Sequence, residues 1–150
     1  MKVIRIISIS TFLFMLSLFE NYLNTFISLD FGVYIFLISL LYIGTELFNQ
    51  NFAIPIFFSG ILYDSFLSTY YLGLYTSIFL VIVFLSNFVV SRYGQSNFIY
   101  TITISLCLLI YKIPIIFEFD LGYWLTGYFT SIFVNSLIFF IFKRTIRNNV

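Results

Sequence analysis

The chain has 150 residues, of which 61% are hydrophobic and 9% are charged, and its formal net charge is +1. A soluble domain is about a quarter charged, so this composition excludes a water-facing surface and predicts one integral membrane domain over residues 1–150, with the lipid bilayer as its solvent. The single Cys107 excludes an internal disulfide and a multi-cysteine metal site, and the absence of histidine removes the commonest transition-metal ligand. No basic cluster lies away from the chain ends, which argues against a nucleic-acid partner.

Six apolar runs follow one another along the chain, each close to the ~20 residues that a spanning helix needs. Their unbroken hydrophobicity is typical of helices, because barrel strands alternate polar and apolar residues. The joints between the runs are short and leave no room for a soluble domain. We therefore predict an all-α, polytopic transmembrane bundle of six helices, in the runs Val3–Phe19, Phe31–Phe48, Phe52–Tyr71, Leu74–Val90, Phe98–Phe117 and Gly122–Phe142.

The first run has some features of a secretory signal peptide, because Lys2 and Arg5 stand at its start. No small-residue cleavage site follows it, and the chain continues with Glu20 and Asn21. We therefore expect this run to be retained as the first helix.

The distribution of charge predicts the orientation of the bundle, since lysine and arginine accumulate on the cytoplasmic side. Starting from a cytoplasmic N-terminus, six helices return the chain to the cytoplasm, whereas five would place one terminal basic cluster on the wrong side. Glu20, Asp30, Glu118 and Asp120 then fall in outer joints, and Lys112 is the one basic residue near the outer side. We predict that both termini are cytoplasmic, together with the basic residues Lys2, Arg5, Arg92, Lys143, Arg144 and Arg147.

The third run places a carboxylate among apolar side chains. Gly60, Asp64 and Ser68 are four residues apart, so on a helix they share one small, polar face. Small residues let helices approach closely in lipid, and polar residues find partners across the contact. We expect this face to point into the bundle, with Pro55 tolerated in the first helical turn and Gly73 supplying the tight turn before the fourth helix.

Asp64 is the acid that lies deepest in a predicted span, and an ionisable group inside a membrane suggests a role. At 1.5 Å per residue, Asp64 and Lys112 each lie roughly 8–10 Å below the outer surface. This common depth predicts an intramembrane ion pair between them. Direct contact of Asp64 with a partner or ligand is a second interpretation, and it is compatible with the first.

The other helices carry three further features. Gly127, Ser131 and Asn135 repeat the four-residue spacing in the last helix, which predicts a helix-packing face, either inside the bundle or against another subunit. Pro114 predicts a kink in the fifth helix. Glu46 lies near the cytoplasmic end of the second helix, where we expect it to reach water.

The sequence contains no set of residues that predicts catalysis. Intramembrane proteolysis needs paired aspartates, a serine with a base, or a metal held by histidines, and Asp64 is the only acid well inside a span. A phosphate-binding glycine loop is also absent. We therefore expect a protein that is not an enzyme and that has no metal site and no cofactor.

Residues 59–85, SGILYDSFLSTYYLGLYTSIFLVIVFL, resemble the signature region of the bacterial rod shape-determining protein MreD family. The matching positions are Gly60, Asp64 and Gly73, and Lys112 is not among them. The region covers about a fifth of the chain. The chain length, the lack of a soluble domain and the basic C-terminal tail are also similar to that family.

The resemblance implies a non-enzymatic subunit of the bacterial cell-elongation machinery, located in the inner membrane. Members of the family associate with the periplasmic scaffold MreC, and through it with the actin-like MreB filament and with peptidoglycan synthesis enzymes. Their fold is similar to that of the six-helix substrate-binding subunit of energy-coupling-factor vitamin transporters. The six-helix prediction from hydropathy and charge agrees with this fold.

Two other functions are compatible with a small helical membrane protein. A vitamin-binding subunit of an energy-coupling-factor transporter needs outer loops that close over a ligand and polar side chains that line a pocket, and the joints here are short with few polar residues. A small channel or holin-like protein needs a polar stripe along a lumen, and no such stripe is longer than three positions. Cell-shape control is therefore the leading prediction.

Overall fold

The computed structural model of the protein describes residues 3–26, 32–116 and 121–148. Within these ranges the secondary structure is helical, with six long helices, one short helix and a 3-10 turn at Gln50–Phe52. The short helix α6 continues the fifth apolar run, so the predicted all-α fold with six long helices is confirmed. The helices are α1 (Val3–Phe26), α2 (Ile35–Glu46), α3 (Ala53–Phe66), α4 (Leu74–Tyr93), α5 (Asn97–Tyr111), α6 (Ile113–Ile116) and α7 (Leu121–Asn148).

Three of the described helical segments are long and apolar enough to cross a membrane, namely Val3–Phe26, Leu74–Tyr93 and Gly127–Ile146. Helices α2 and α5 are apolar but shorter. Large hydrophobic side chains cover the outside of the bundle, and Phe129 and Phe133 are 66% and 67% exposed. A water-soluble protein buries such side chains, so this surface is that of a multi-pass helical membrane protein.

Helices α2 and α4 occupy the centre of the bundle. Helix α4 packs against α2, α3 and α5, and α2 also contacts α1, α5 and α7. Gly44 of α2 makes the central contact close, because a Cβ atom there would collide with Ser86 Oγ and would lie 2.7 Å from the Val83 carbonyl oxygen on α4. Beside this contact, the rings of Phe36 and Phe79 meet edge to face with their centres 4.8 Å apart.

Several helix boundaries differ from the prediction, and two of the differences change the place of a polar residue. Helix α1 continues past Phe19 to Phe26, which places Glu20 inside a helix and not in a joint. Helix α3 ends at Phe66, well before Tyr71, so Ser68 lies beyond it. The Ser68 hydroxyl accepts a hydrogen bond from the Tyr70 backbone N–H at 3.0 Å, a local turn that competes with helix continuation.

Pro55 lies where the sequence predicts, and Pro114 interrupts its helix more strongly than predicted. Pro55 stands in the first turn of α3. The fifth helical run is interrupted at Lys112, between α5 and α6, two residues before Pro114. Pro114 has no N–H to bond the Ile110 carbonyl, and its ring crowds that oxygen. The predicted kink is therefore a break in the helix.

Candidate functional site

Hydrogen-bonded polar side chains join the helices at two opposite ends of the bundle. At one end, which we call the Asp64 end, α1, α3 and α5 finish while α2 and α4 begin. At the other, which we call the Lys143 end, α2 and α4 finish and α5 begins. Sequence analysis places the Asp64 end on the outer side of the membrane.

Asp64 caps the first turn of α4 from its position on α3. Its Oδ2 accepts hydrogen bonds from the backbone N–H groups of Gly73 and Thr76 at 2.9 and 3.0 Å, and from the Thr76 hydroxyl at 2.7 Å. Its Oδ1 accepts one from the Tyr75 N–H at 3.0 Å. The first N–H groups of a helix have no partner within the helix and carry the positive end of its dipole. The carboxylate, 4% exposed, is therefore satisfied by α4.

Gly60 and Gly73 contribute to the same joint. A Cβ atom on Gly60 would lie 2.6 Å from the Cα of Thr76, so α3 and α4 approach each other as closely as a glycine allows. Gly73 precedes α4 with a φ of 98°, in the left-handed region that favours glycine. The structure thus brings Gly60, Asp64 and Gly73 together, whereas Ser68 lies outside the joint.

The structure replaces the predicted ion pair between Asp64 and Lys112 with two separate contacts. Asp64 is bonded to the start of α4, and the Lys112 Nζ lies 5.1 Å from the centre of the Tyr34 ring. Equal depth does not bring the two residues together because α3 packs against α1 and α4, while α5 packs against α4 and α7. The ion pair that the described residues do form joins Lys143 and Glu46.

Glu20 forms a second cap of the same kind, which sequence analysis missed. Its Oε2 accepts a hydrogen bond from the Phe36 backbone N–H at 2.7 Å, in the first turn of α2, and its Oε1 accepts one from the Tyr111 hydroxyl at 2.6 Å. Glu20 is 4% exposed, so its expected place in an outer joint is wrong. Helical spacing contained the signal, since Ser10, Leu13, Ser17 and Glu20 are all buried on one face of α1.

Asn135 connects α7 to the chain before α2. Its Oδ1 accepts a hydrogen bond from the Tyr34 N–H at 2.8 Å, and its Nδ2 donates to the carbonyl oxygens of Gly32 and Ser131 at 3.0 and 2.8 Å. Ser131 and Asn135 are fully buried and Gly127 is partly buried. Ser131 and Asn135 of the predicted packing face therefore lie inside this bundle, and Asn135 contacts the segment before α2.

The segment 32–34, which precedes α2, is not helical. Asn24 of α1 bonds both backbone groups of Val33, accepting from its N–H at 3.0 Å and donating to its carbonyl at 3.1 Å. Irregular backbone in a membrane must find such partners within the protein. Helices α1 and α7 therefore fix the backbone around the start of α2, through Asn24 and Glu20 of α1 and Asn135 of α7.

A different polar cluster joins three helices at the Lys143 end. Glu46 Oε1 lies 2.6 Å from the Lys143 Nζ and accepts a hydrogen bond from the Tyr100 hydroxyl at 2.6 Å. The Lys143 Nζ also lies 3.7 Å from the centre of the Tyr100 ring. Glu46 is therefore bonded to α5 and α7, although its 22% exposed side chain still reaches solvent as expected.

These contacts fix helices relative to one another. Asp64 and Glu20 are each bonded to the backbone of the helix that follows, and Glu46 links α2 to α7. In the described ranges, no three His, Cys, Asp or Glu residues are grouped in a way that could hold a metal ion. No protein-family model, curated protein or solved structure matches the chain.

Proposed function

We propose that this protein is a non-enzymatic subunit of the bacterial cell-elongation machinery, of the MreD type. In this proposal it lies in the inner membrane, binds an MreC-type scaffold, and is linked through that scaffold to MreB and to peptidoglycan synthesis enzymes. Its contribution is assembly, because a rigid helical bundle offers faces on which the membrane anchor of another protein can pack. No cofactor takes part.

One observation carries the proposal. Gly60, Asp64 and Gly73, the three positions that resemble the MreD signature, all serve the contact between α3 and α4. Gly60 permits the close approach, Asp64 caps α4, and Gly73 supplies the left-handed turn. Because these three residues form one structural contact, they support a resemblance to the MreD family in structure as well as in sequence.

The hydrogen bonding of the polar side chains at the Asp64 end favours a protein that binds a partner over one that binds a solute. A vitamin-binding subunit needs polar groups that are free to meet a ligand. Glu20, Asn24, Asp64 and Asn135 are all bonded to the backbone of their own chain. Using them for a ligand would leave those backbone groups without partners.

Depletion of the protein in its bacterium tests the proposed function. Rod-shaped cells should become round as the protein is lost, and expression of the wild-type chain from a plasmid should restore rods. Rods that persist at the same growth rate after depletion would contradict the proposal. Uptake of vitamins, measured in the same cells, should not change.

A further inference from the structure

A groove of about 310 Å³ lies on the outside of the bundle between α5 and α7. Its walls include Thr101 of α5 and Phe129, Phe133, Ser136 and Phe140 of α7. These four residues of α7 are spaced three or four apart, so they form one stripe along that helix. The groove is therefore elongated and mostly apolar, and it opens towards the side of the bundle that faces the hydrocarbon of the membrane.

Ser136 gives this groove a polar position. The residue is 7% exposed, and its buried hydroxyl has no hydrogen-bond partner in the part of the chain that the structure describes. Buried hydroxyls in proteins are normally bonded. Of the three described residues with such an unbonded buried hydroxyl, Thr45, Ser131 and Ser136, Ser136 is the one that lines the groove. A change of its side-chain rotamer turns the hydroxyl towards an acceptor in the groove, to which it can then donate.

Arg144 gives the groove a positive end. It follows Phe140 by four residues and so continues the same stripe of α7. Its exposed side chain has no ion-pair partner among the described residues, whereas the neighbouring Lys143 is paired with Glu46. Helical side chains lean over the turn that precedes them, which directs Arg144 towards the end of the groove at Phe140.

We propose that this groove binds a phospholipid with an anionic headgroup. The phosphate meets Arg144, an ester carbonyl accepts a hydrogen bond from Ser136, and an acyl chain lies along Phe133 and Phe129. Ser136 lies eight residues, about 12 Å, deeper along α7 than Arg144. The Arg144 side chain leans back about one turn, to the level of Phe140, so a phosphate bound there lies about 6 Å above Ser136, and the ester groups of a phospholipid lie below its phosphate. Charge complementarity at Arg144 selects an anionic headgroup over a zwitterionic one.

A second groove lacks both of these features. It lies between α1 and α3, has a volume of about 330 Å³, and is lined in part by Ile7, Ser10 and Thr11. Its serine is already satisfied, since Ser10 donates to the Ile6 carbonyl at 2.9 Å. Arg5 lies on the opposite side of α1, because two residues correspond to about 200° of helical rotation from Ile7. This groove therefore serves as an internal control.

A second copy of the chain is a poorer occupant of the first groove. A twofold axis along the membrane normal through this face would bring the two Arg144 side chains together at the same depth. Like charges at that position oppose association. The anionic lipid places opposite charge there.

Native mass spectrometry of the full chain in mild detergent tests the proposal with phosphatidylglycerol and phosphatidylcholine as probes. We expect phosphatidylglycerol to bind about fivefold more tightly, the factor that one arginine near a membrane surface supplies. Arg144→Gln should abolish this preference and Arg5→Gln should keep it. Thr101→Leu, which fills the groove, should reduce binding of both lipids, and Thr11→Leu in the other groove should not.

Melting temperatures establish that all four variants fold; Arg5, Thr11 and Arg144 are exposed and Thr101 is partly buried. Equal affinity for the two lipids, or equal effects of Arg144→Gln and Arg5→Gln, would overturn the proposal. Oxidative cross-linking in membranes supplies an independent test, using Phe133→Cys in a Cys107→Ala background. An unlinked chain supports a lipid in the groove, whereas a cross-link to a second copy or to another protein's helix overturns it.

Discussion

The Oδ2 atom of Asp64 lies 2.7 Å from the Oγ1 atom of Thr76, so a side chain of α3 is bonded to both the side chain and the backbone of α4. The same carboxylate also bonds Gly73 and Tyr75. A single buried residue therefore completes the first turn of the following helix. This contact explains why a carboxylate is placed inside an apolar run.

We predict that Asp64→Asn lowers the free energy of unfolding by about 1–2 kcal/mol, because an amide has one acceptor oxygen where the carboxylate has two. Thr76→Val should cost about 1 kcal/mol for the lost hydroxyl bond. Combined, the two changes should cost less than their sum. Reversible unfolding in mixed micelles, followed by circular dichroism, measures all three variants.

Lys112→Met is the control for that cycle. Because Lys112 does not contact Asp64 in the structure, its effect should add to that of Asp64→Asn within about 0.5 kcal/mol. If positions 64 and 112 are energetically coupled and positions 64 and 76 are not, the result would support the ion pair and contradict the cap.

Glu20 should be as important for α2 as Asp64 is for α4. We predict that Glu20→Leu destabilises the protein by about 1–3 kcal/mol, because the Phe36 N–H and the Tyr111 hydroxyl lose their common acceptor. Asn21→Ala at the exposed neighbouring position should change stability by less than about 0.5 kcal/mol. Thermal melting in detergent gives the comparison, and equal effects of the two changes would contradict the buried cap.

Gly60 should tolerate no side chain. Gly60→Ala places a Cβ against the backbone of Thr76, and such overpacking typically costs about 1–3 kcal/mol. Ser65→Ala, at an exposed position of the same helix, provides the control and should be nearly neutral. If the two variants melt at the same temperature as the wild type, α3 and α4 are not in close contact.

The orientation of the bundle is tested by reporter fusions. We predict a cytoplasmic signal from a reporter placed after Val150 and a periplasmic signal from one placed after Tyr71, because six of the seven basic residues then lie on the cytoplasmic side. A fusion after Gly94, in the joint between α4 and α5, should match the one after Val150. Identical signals from Val150 and Tyr71 would contradict the six-helix topology.

The number and order of the helices could be predicted because both depend on the length of the apolar runs, which is a local property. The end of α1 could not, since Glu20 ends the apolar run at Phe19 although the helix continues to Phe26. A buried, bonded carboxylate has the same sequence signal as an exposed one in a joint. Only its helical spacing from Ser10, Leu13 and Ser17 distinguishes the two.

The burial of Asp64 was predictable, but its partner was not. Helical spacing places Gly60 and Asp64 on one face and gives their depth, whereas the choice of partner depends on which helices are neighbours. Helix α4 lies next to α3, so its N–H groups take the position that equal depth had suggested for Lys112. Ser68 shows a related limit, because a turn at Tyr70 ends α3 before the spacing can continue.

The proposed function is tested most directly by the proteins that co-purify with the tagged, wild-type chain from membranes of its bacterium. We predict that an MreC-type scaffold is recovered, and that Gly60→Leu, normalised to its abundance in the membrane, recovers less of it. Recovery of transporter ATPases, or of a vitamin bound with low-nanomolar affinity, on the order of −12 kcal/mol, with no scaffold, would contradict the account.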